Sequence, residues 1–148
     1  YHISEMNIKE ICEEVFLASS LKMKPEVKLV FDKELPSIRL KTDPQRVMQV
    51  ISNFVNNAIK FTEKGSITIS YKREGNYLRV NVQDTGIGIS EDDRKRIFER
   101  FIKINEFKQG TGLGLTISRT IIESLNGAIG VDSVKGSGST FWFTLPLE

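Results

Sequence analysis

The stretch that decides the fold is residues 43–62, DPQRVMQVISNFVNNAIKFT. Asp43 is a favourable N-cap and Pro44 suits the first helical position, so the stretch predicts a helix from Pro44 to about Thr62. One side of this helix is apolar, with Val47, Val50, Ile51, Phe54, Ala58 and Phe61. Such a stripe is typical of a helix that covers another layer of the protein.

The other side of this helix carries an unusual polar stripe. Its members, spaced mostly three or four residues apart, are Arg46, Gln49, Asn53, Asn57 and Lys60, with Asn56 adjacent. Asparagine is less favourable than alanine inside a helix by up to ~0.7 kcal/mol, so this cluster needs a reason. An amide oxygen is a suitable ligand for Mg²⁺, and a lysine can meet phosphate charge. From the residues alone, a buried amide network and a ligand site fit equally well.

The segments on either side of this helix predict a mixed fold. Before it we expect a helix from Asn7 to about Lys22 and two short strands, in residues 27–33 and 37–41. After it we expect strands at 66–72 and 77–84, a short helix capped by Ser90, a helix following 110–115 that ends near Leu125, and strands at 128–134 and 139–145. This order predicts an α+β fold. It would be a two-layer α/β sandwich, with a mixed, mostly antiparallel sheet covered by helices on one face and residues 1–148 in one domain.

Composition narrows the class of protein. The chain has 148 residues, 39% of them hydrophobic and 27% charged, which are ordinary globular values, and its formal charge of +2 does not favour a nucleic-acid partner. It contains no apolar run of about 18 residues, so we expect a soluble piece of a longer protein. Cys12 is the only cysteine and lies in an apolar stripe, which favours a buried core thiol in a reducing, cytoplasmic setting. With His2 as the only histidine, zinc sites and Ser/His/Asp triads are disfavoured.

Residues 82–90, VQDTGIGIS, end a strand in a carboxylate and then place two glycines within five residues. Asp84 can accept a hydrogen bond from an amino group of a ligand, which favours adenine over guanine. Gly86 and Gly88 would let a flat ring approach the backbone. As an isolated pattern, a hairpin turn explains these residues about as well.

Residues 110–115, GTGLGL, place three alternating glycines immediately before an apolar-periodic helix. A helix N-terminus presents unpaired N–H groups and the positive end of the helix dipole, and glycine leaves room for an anion. The motif therefore predicts a phosphate site, with a flexible hinge and helix cap as the alternative. The later Gly136-Ser137-Gly138 sequence favours a turn between two strands.

Taken together and in this order, the motifs resemble the catalytic ATP-binding domain of bacterial sensor histidine kinases. That domain has the Bergerat fold of the superfamily that includes gyrase, the Hsp90 chaperones and MutL. The matching segments are NFVNNAIKFT as the asparagine box, DTGIGI, GTGLGL and GSGSTF as three glycine boxes, and IFERF as the phenylalanine box. The resemblance covers essentially the whole chain.

The resemblance implies ATP as substrate and Mg²⁺ as the metal. In it Asn57 ligates Mg²⁺, Asp84 holds the adenine amine, and residues between Gly88 and Gly110 form a lid. The residues that it assigns to catalysis are Asn53, Asn57 and Lys60. Those that it assigns to nucleotide binding are these three together with Asp84, Gly86, Gly88, Ile89, Phe101, Gly110, Thr111, Gly112, Leu113, Gly114, Leu115 and Thr140.

The resemblance also implies phosphoryl transfer rather than hydrolysis. Superfamily members that hydrolyse ATP carry a glutamate base where this chain has Asn53, and an amide cannot accept the proton. The expected acceptor is a histidine on a separate dimerisation domain of the parent protein, followed by a response regulator receiver domain. His2 lacks the sequence context of that acceptor, so we expect the phosphoacceptor domain to be absent.

We expect no nucleic-acid partner, no direct membrane contact and a monomer in isolation. Whether the parent is anchored in the inner membrane is left open by the sequence. Two alternatives remain for the function: a nucleotide-binding regulatory module without turnover, and a serine kinase like the anti-sigma factors.

Overall fold

The computed structural model describes residues 1–86, 111–134 and 136–147. The elements in these ranges are β1 (Ser4–Asn7), α1 (Ile8–Ser20), β2 (Val27–Phe31), β3 (Arg39–Thr42), α2 (Pro44–Phe61), β4 (Gly65–Glu74), β5 (Tyr77–Asp84), α3 (Thr111–Ser124), β6 (Ala128–Val134) and β7 (Gly138–Pro146). The short helix expected after Ser90 and the lid lie outside the described residues. No described helix is both long and apolar enough to cross a membrane.

Five strands form one sheet in the order β2-β4-β5-β7-β6. β2 and β4 are parallel, and the three other pairs are antiparallel. β1 and β3 form a separate antiparallel pair. The expected mixed, mostly antiparallel sheet is therefore confirmed.

The inner face of the sheet, covered by the helices, holds the core. Along β5 and β7 alternate side chains are buried: Leu78, Val80, Val82 and Asp84 on β5, and Ser139, Phe141, Phe143 and Leu145 on β7. The ring of Phe54 on α2 packs against the rings of Phe141 and Phe143, with centroid distances of 5.4 and 6.1 Å. Sheet and helices thus make the two layers that the sequence predicts.

The helices begin where their capping residues place them. Asp43 caps α2 by accepting a hydrogen bond from the backbone N–H of Arg46 at 3.2 Å, with Pro44 in the first turn, as predicted. Asn7 caps α1 in the same way, so it precedes the helix rather than starting it. Cys12 of α1 is completely buried, and burial raises the pKa of its thiol to about 12, which confirms a core thiol.

Three local expectations differ from the structure. β1 was not predicted, because SEMN lacks the apolar alternation of a strand and is held by pairing with β3. The strand expected at 37–41 is β3 (Arg39–Thr42), which pairs outside the main sheet. Finally, α3 begins at Thr111, so Gly112 and Gly114 lie inside its first turn rather than before it.

Candidate functional site

Asp84 is a buried carboxylate at the end of β5, with 3% of its surface exposed. Its Oδ1 accepts hydrogen bonds from the backbone N–H groups of Gly86 at 2.9 Å and Ser139 at 3.3 Å. Burial raises the pKa of this carboxyl, and the two N–H groups oppose that shift only in part. With Oδ1 held from both sides, Oδ2 is left as the acceptor for an incoming donor.

Gly86 packs against the last turn of α2. A side-chain carbon at this position would collide with the carbonyl oxygen of Phe61 and lie 2.8 Å from Oγ1 of Thr62. The glycine is therefore required by the protein itself, a reason that its sequence pattern did not reveal. Since Phe61 lies one helical turn after Asn57, the same contact brings the turn after Asp84 to the Asn57 end of α2.

Asn57 is buried on α2, with 5% of its surface exposed. Its Nδ2 has no hydrogen-bond partner among the described residues, and neither does the buried Oγ1 of Thr62 nearby in sequence. Native proteins leave few buried polar atoms unpaired, so this nitrogen needs a partner, such as a water or a ligand, that the described residues do not supply. A half-turn of the amide exchanges its oxygen and nitrogen, so Asn57 can offer either a donor or a metal ligand here.

The other two asparagines of α2 have structural partners. Nδ2 of Asn53 donates to Oγ of the fully buried Ser118 on α3, at 3.2 Å. Oδ1 of Asn56 accepts from Nζ of Lys22, just beyond α1, at 2.9 Å. Of the three amides, only that of Asn57 has a buried unpaired nitrogen within the described part of the chain. Sequence reasoning did not find Ser118, although a serine on the buried side of an apolar helix was a signal for it.

The N-terminus of α3 points towards the Asp84 end of the sheet. α3 ends at the turn that starts β6 and packs against that strand. The 14 residues of α3 span about 21 Å and the 7 residues of β6 about 23 Å. The helix and the strand therefore run antiparallel and have similar lengths. The N–H groups of its first turn, which have no partner within the helix, therefore lie near the end of β6, where Ser133 pairs with Ser139.

Thr140 and its neighbour Ser139 lie on opposite faces of β7. In the register of β5 and β7, Asp84 lies opposite Ser139, and Gln83 opposite Thr140. Successive side chains of a strand point to opposite faces, so Thr140 belongs to the outer face and Ser139 shares the inner face with Asp84. Ser139, which the sequence analysis did not select, is the residue in contact with the carboxylate.

A cavity of about 240 Å³ opens at this end of the sheet. Its lining comes from the ends of β5, β6 and β7 and the turn between β6 and β7: Gln83, Asp84, Asp132, Ser133, Ser137, Gly138, Ser139 and Thr140. Gly138 lies against the backbone of Asp84 with a φ of +93°, a conformation that favours glycine. The turn between β6 and β7 therefore packs directly against the end of β5 at Asp84.

The remaining predicted site residues are placed as follows. Lys60 is exposed on the last turn of α2 and makes no ion pair with the described residues. Leu115 is completely buried, and its side chain packs in the core. The backbone of Thr111, Gly112, Leu113 and Gly114 forms the start of α3. Gly88, Ile89, Phe101 and Gly110 lie outside the described residues.

Known proteins share both the sequence pattern and the fold. The family model described as histidine kinase-, DNA gyrase B-, and HSP90-like ATPase matches residues 42–148. The sensor protein GacS of Pseudomonas syringae pv. syringae is 44% identical over 119 residues, which are 74% of this chain and 13% of GacS. The sensor histidine kinase RcsC of Escherichia coli K12 is 43% identical over 114 residues, 74% of this chain and 12% of RcsC. The match therefore spans only a small part of these longer relatives.

Solved structures agree with the sequence matches. The catalytic domain of the histidine kinase ThkA, in a nucleotide-free form, superimposes with a TM-score of 0.88 at 33% identity, over 99% of this chain and 97% of that one. Full-length ShkA in complex with AMPPNP gives a TM-score of 0.83 at 32% identity, over 97% of this chain and 31% of that one. The chain belongs to the histidine kinase-, DNA gyrase B- and HSP90-like ATPase family, in the form that sensor histidine kinases carry.

Proposed function

We propose that residues 1–148 form a catalytic domain that binds Mg·ATP and transfers the γ-phosphoryl group to a histidine on a separate dimerisation domain. The observation that carries this proposal is the buried carboxylate of Asp84, whose Oδ1 is held by two backbone N–H groups beside an open cavity. Burying a carboxylate costs free energy unless hydrogen-bond donors satisfy its oxygens. An adenine amino group would donate a hydrogen bond to the remaining oxygen, Oδ2.

Two features support a triphosphate at the other end of the site. The first turn of α3 offers free N–H groups to phosphate oxygens. Lys60 is an exposed cation one turn beyond Asn56, at the end of α2 that meets Gly86. The full-length ShkA structure contains AMPPNP, which supports the same ligand class for this chain.

Asn57 fits a magnesium site that uses one protein ligand. The described residues contain no cluster of three or more His, Cys, Asp or Glu that could hold a metal. Mg²⁺ commonly takes one or two protein ligands and completes its shell with waters and substrate phosphates. The unpaired, buried amide of Asn57 can supply that single ligand. When bound, the ion would neutralise phosphate charge.

The residues near Asn57 favour transfer to a protein nucleophile over hydrolysis. Asn53 is an amide bonded to Ser118 and cannot take a proton from water. In the proposed step an unprotonated imidazole nitrogen bonds to the γ-phosphorus as the bond to the bridging oxygen breaks. ADP then leaves with that electron pair, and the site contributes positioning and charge neutralisation.

The acceptor belongs to the parent protein. The sensor kinases that match this chain are about eight times longer than the matched region, as their coverage of 12–13% implies. We propose that one further region of the parent is the phosphoacceptor dimerisation domain and that a response regulator receiver domain takes the phosphoryl group next. We also propose a cytoplasmic location for residues 1–148.

Calorimetry with ATP, with and without Mg²⁺, tests the site through two neighbouring asparagines. Asn57→Ala should remove the Mg²⁺-dependent part of ATP affinity, a loss of at least about tenfold, because it removes the metal ligand. Asn56→Ala is the matched control, since Asn56 pairs with Lys22 and should leave nucleotide affinity unchanged. Equal Mg²⁺ dependence in the Asn57 variant and the wild type would refute the metal assignment.

A transfer assay separates the alternatives. The chain is mixed with a dimerisation domain of a related sensor kinase and γ-labelled ATP, and the labelled protein is exposed to acid. Acid-labile label supports histidine phosphorylation, whereas acid-stable label would point to a serine kinase. ATP binding without any labelled protein would favour a regulatory module.

A further inference from the structure

Ser133 on β6 is the last member of a polar row on the inner face of the sheet. The strand register places Asp84 opposite Ser139, and Ser139 opposite Ser133. We call Asp84, Ser139 and Ser133 the inner row. Because β7 lies between β5 and β6, Ser133 can act on the carboxylate's end of the cavity through its contact with Ser139.

Two contacts of Ser133 fix the direction of a hydrogen bond. Its Oγ lies 2.9 Å from the carbonyl oxygen of Gly138 and 2.7 Å from Oγ of Ser139. A carbonyl oxygen only accepts, and each hydroxyl has a single proton. Both contacts are satisfied at once only when Ser133 donates to Gly138 and Ser139 donates to Ser133. Oγ of Ser139 then has lone pairs, but no proton, to offer to a ligand.

This arrangement makes the cavity selective for donors. Ionised Asp84 is an acceptor only, and its Oδ1 is already bonded to the N–H of Ser139. Ser139 and Asp84 line the same cavity, which therefore presents two acceptors side by side. An exocyclic amino group has two protons to give and suits such a pair, whereas a carbonyl at that position would meet lone pairs.

We infer that Ser133 is a positioning residue that sets the preference of this site for a base with an amino group, by fixing the direction of the Ser139 hydroxyl. The inference rests on the proposed ATP-binding function and extends it to specificity. Without the Ser133 hydroxyl, the proton of Ser139 can rotate into the cavity and donate to a carbonyl. Selectivity would then fall although Asp84 and Ser139 are both intact.

The test compares ATP with inosine triphosphate, which carries a carbonyl where ATP carries the amino group. Dissociation constants are measured by calorimetry for the wild type, Ser133→Ala and Ser133→Thr. The wild type should prefer ATP. Ser133→Ala should lower the ratio of the two affinities by about three- to tenfold, the value of one hydrogen bond, and Ser133→Thr should restore it because it keeps a hydroxyl.

The controls separate positioning from general damage. Ser70→Ala removes a hydroxyl from β4, outside the cavity lining, and should leave the ratio unchanged. Thermal melting shows whether each variant is folded. A Ser133→Ala variant that loses affinity for both nucleotides equally, or keeps the wild-type ratio, overturns the inference. A wild type without preference for ATP refutes adenine recognition by the proposed function as well, which is a distinguishable result.

Discussion

Polar side chains are buried and hydrogen-bonded on one face of strands β5, β7 and β6 and are mostly exposed on the other. The inner row is Asp84, Ser139 and Ser133, and one residue away on each strand lies an outer row of Gln83, Thr140 and Asp132. The inner row makes direct hydrogen bonds and includes a carboxylate that is 3% exposed. Gln83 and Asp132 are exposed. A shift of one residue therefore separates a polar residue that must be paired from one that water can solvate.

The outer face has its own contacts, but they are of a weaker kind. The guanidinium of Arg79 lies over the ring of Trp142 at 4.6 Å and reaches Asp132 at 3.5 Å. Gly130 leaves room for the indole ring. Ion pairs with an exposed member contribute little, because water screens them. The inner face instead depends on close packing around Phe141 and Phe143.

The largest expected effect is on the free energy of unfolding, and it compares two neighbouring residues that lie on opposite faces of β7. Phe141→Ala removes a fully buried ring and should lower the free energy of unfolding by about 3–5 kcal/mol. Trp142→Ala removes a partly exposed ring and should cost about 1–2 kcal/mol. Urea denaturation measures both. Equal losses would show that the outer face is part of the core.

A second prediction contrasts Asp84 with Gln83. Asp84→Asn keeps an oxygen for the backbone N–H groups but turns the free acceptor into a donor. ATP affinity should fall roughly ten- to hundredfold, the value of a hydrogen bond to a charged group, and inosine triphosphate should lose much less. Gln83→Ala, on the outer row, removes a side chain from the lining of the same cavity and should change both affinities to the same extent, so that their ratio keeps the wild-type value. A fall of that ratio in both variants would argue against base recognition by the inner row.

The smallest effect concerns the pH dependence of stability. Burial raises the pKa of Asp84 above its ordinary value of 3.8, so the folded chain holds this proton more tightly than the unfolded chain. The stability that this proton contributes is present below pH 3.8 and is lost as pH rises through the raised pKa. Without nucleotide, Asp84→Asn should therefore become more stable than the wild type as pH rises to neutrality. Melting temperatures across this range check the sign, and a constant difference would contradict it.

Much of the fold could be predicted from local patterns. Residues near in sequence determine three features that the structure confirms: the cap of α2 at Asp43, the apolar stripe of that helix and the strand at 77–84. β1 could not be predicted, because its strand form comes from pairing with β3, which lies more than thirty residues later. The sequence also gave no sign that Gly86 is required by the end of α2.

The candidate site was predictable by residue type more than by orientation. Asp84 and Asn57 stand out as polar residues in apolar settings, and both are buried. Ser139 was not selected from the sequence, because its contact with Asp84 depends on the phase of β7, which is fixed only by pairing with β5. Likewise, the sequence does not distinguish Asn56 from Asn53 and Asn57, because its partner Lys22 lies 34 residues away in the chain. Long-range pairing decides these points.

Because the thiol of Cys12 is buried, a dye can be attached elsewhere on this chain to measure nucleotide binding. It is the only sulfhydryl in the chain, and its pKa of about 12 keeps it protonated at neutral pH. Its burial shields it from reagents. A cysteine introduced at the exposed position of Lys64, three residues after the end of α2, would therefore react with a maleimide dye while Cys12 stays unmodified. Fluorescence from that dye would report events at the end of α2 without any need to remove the native sulfur first.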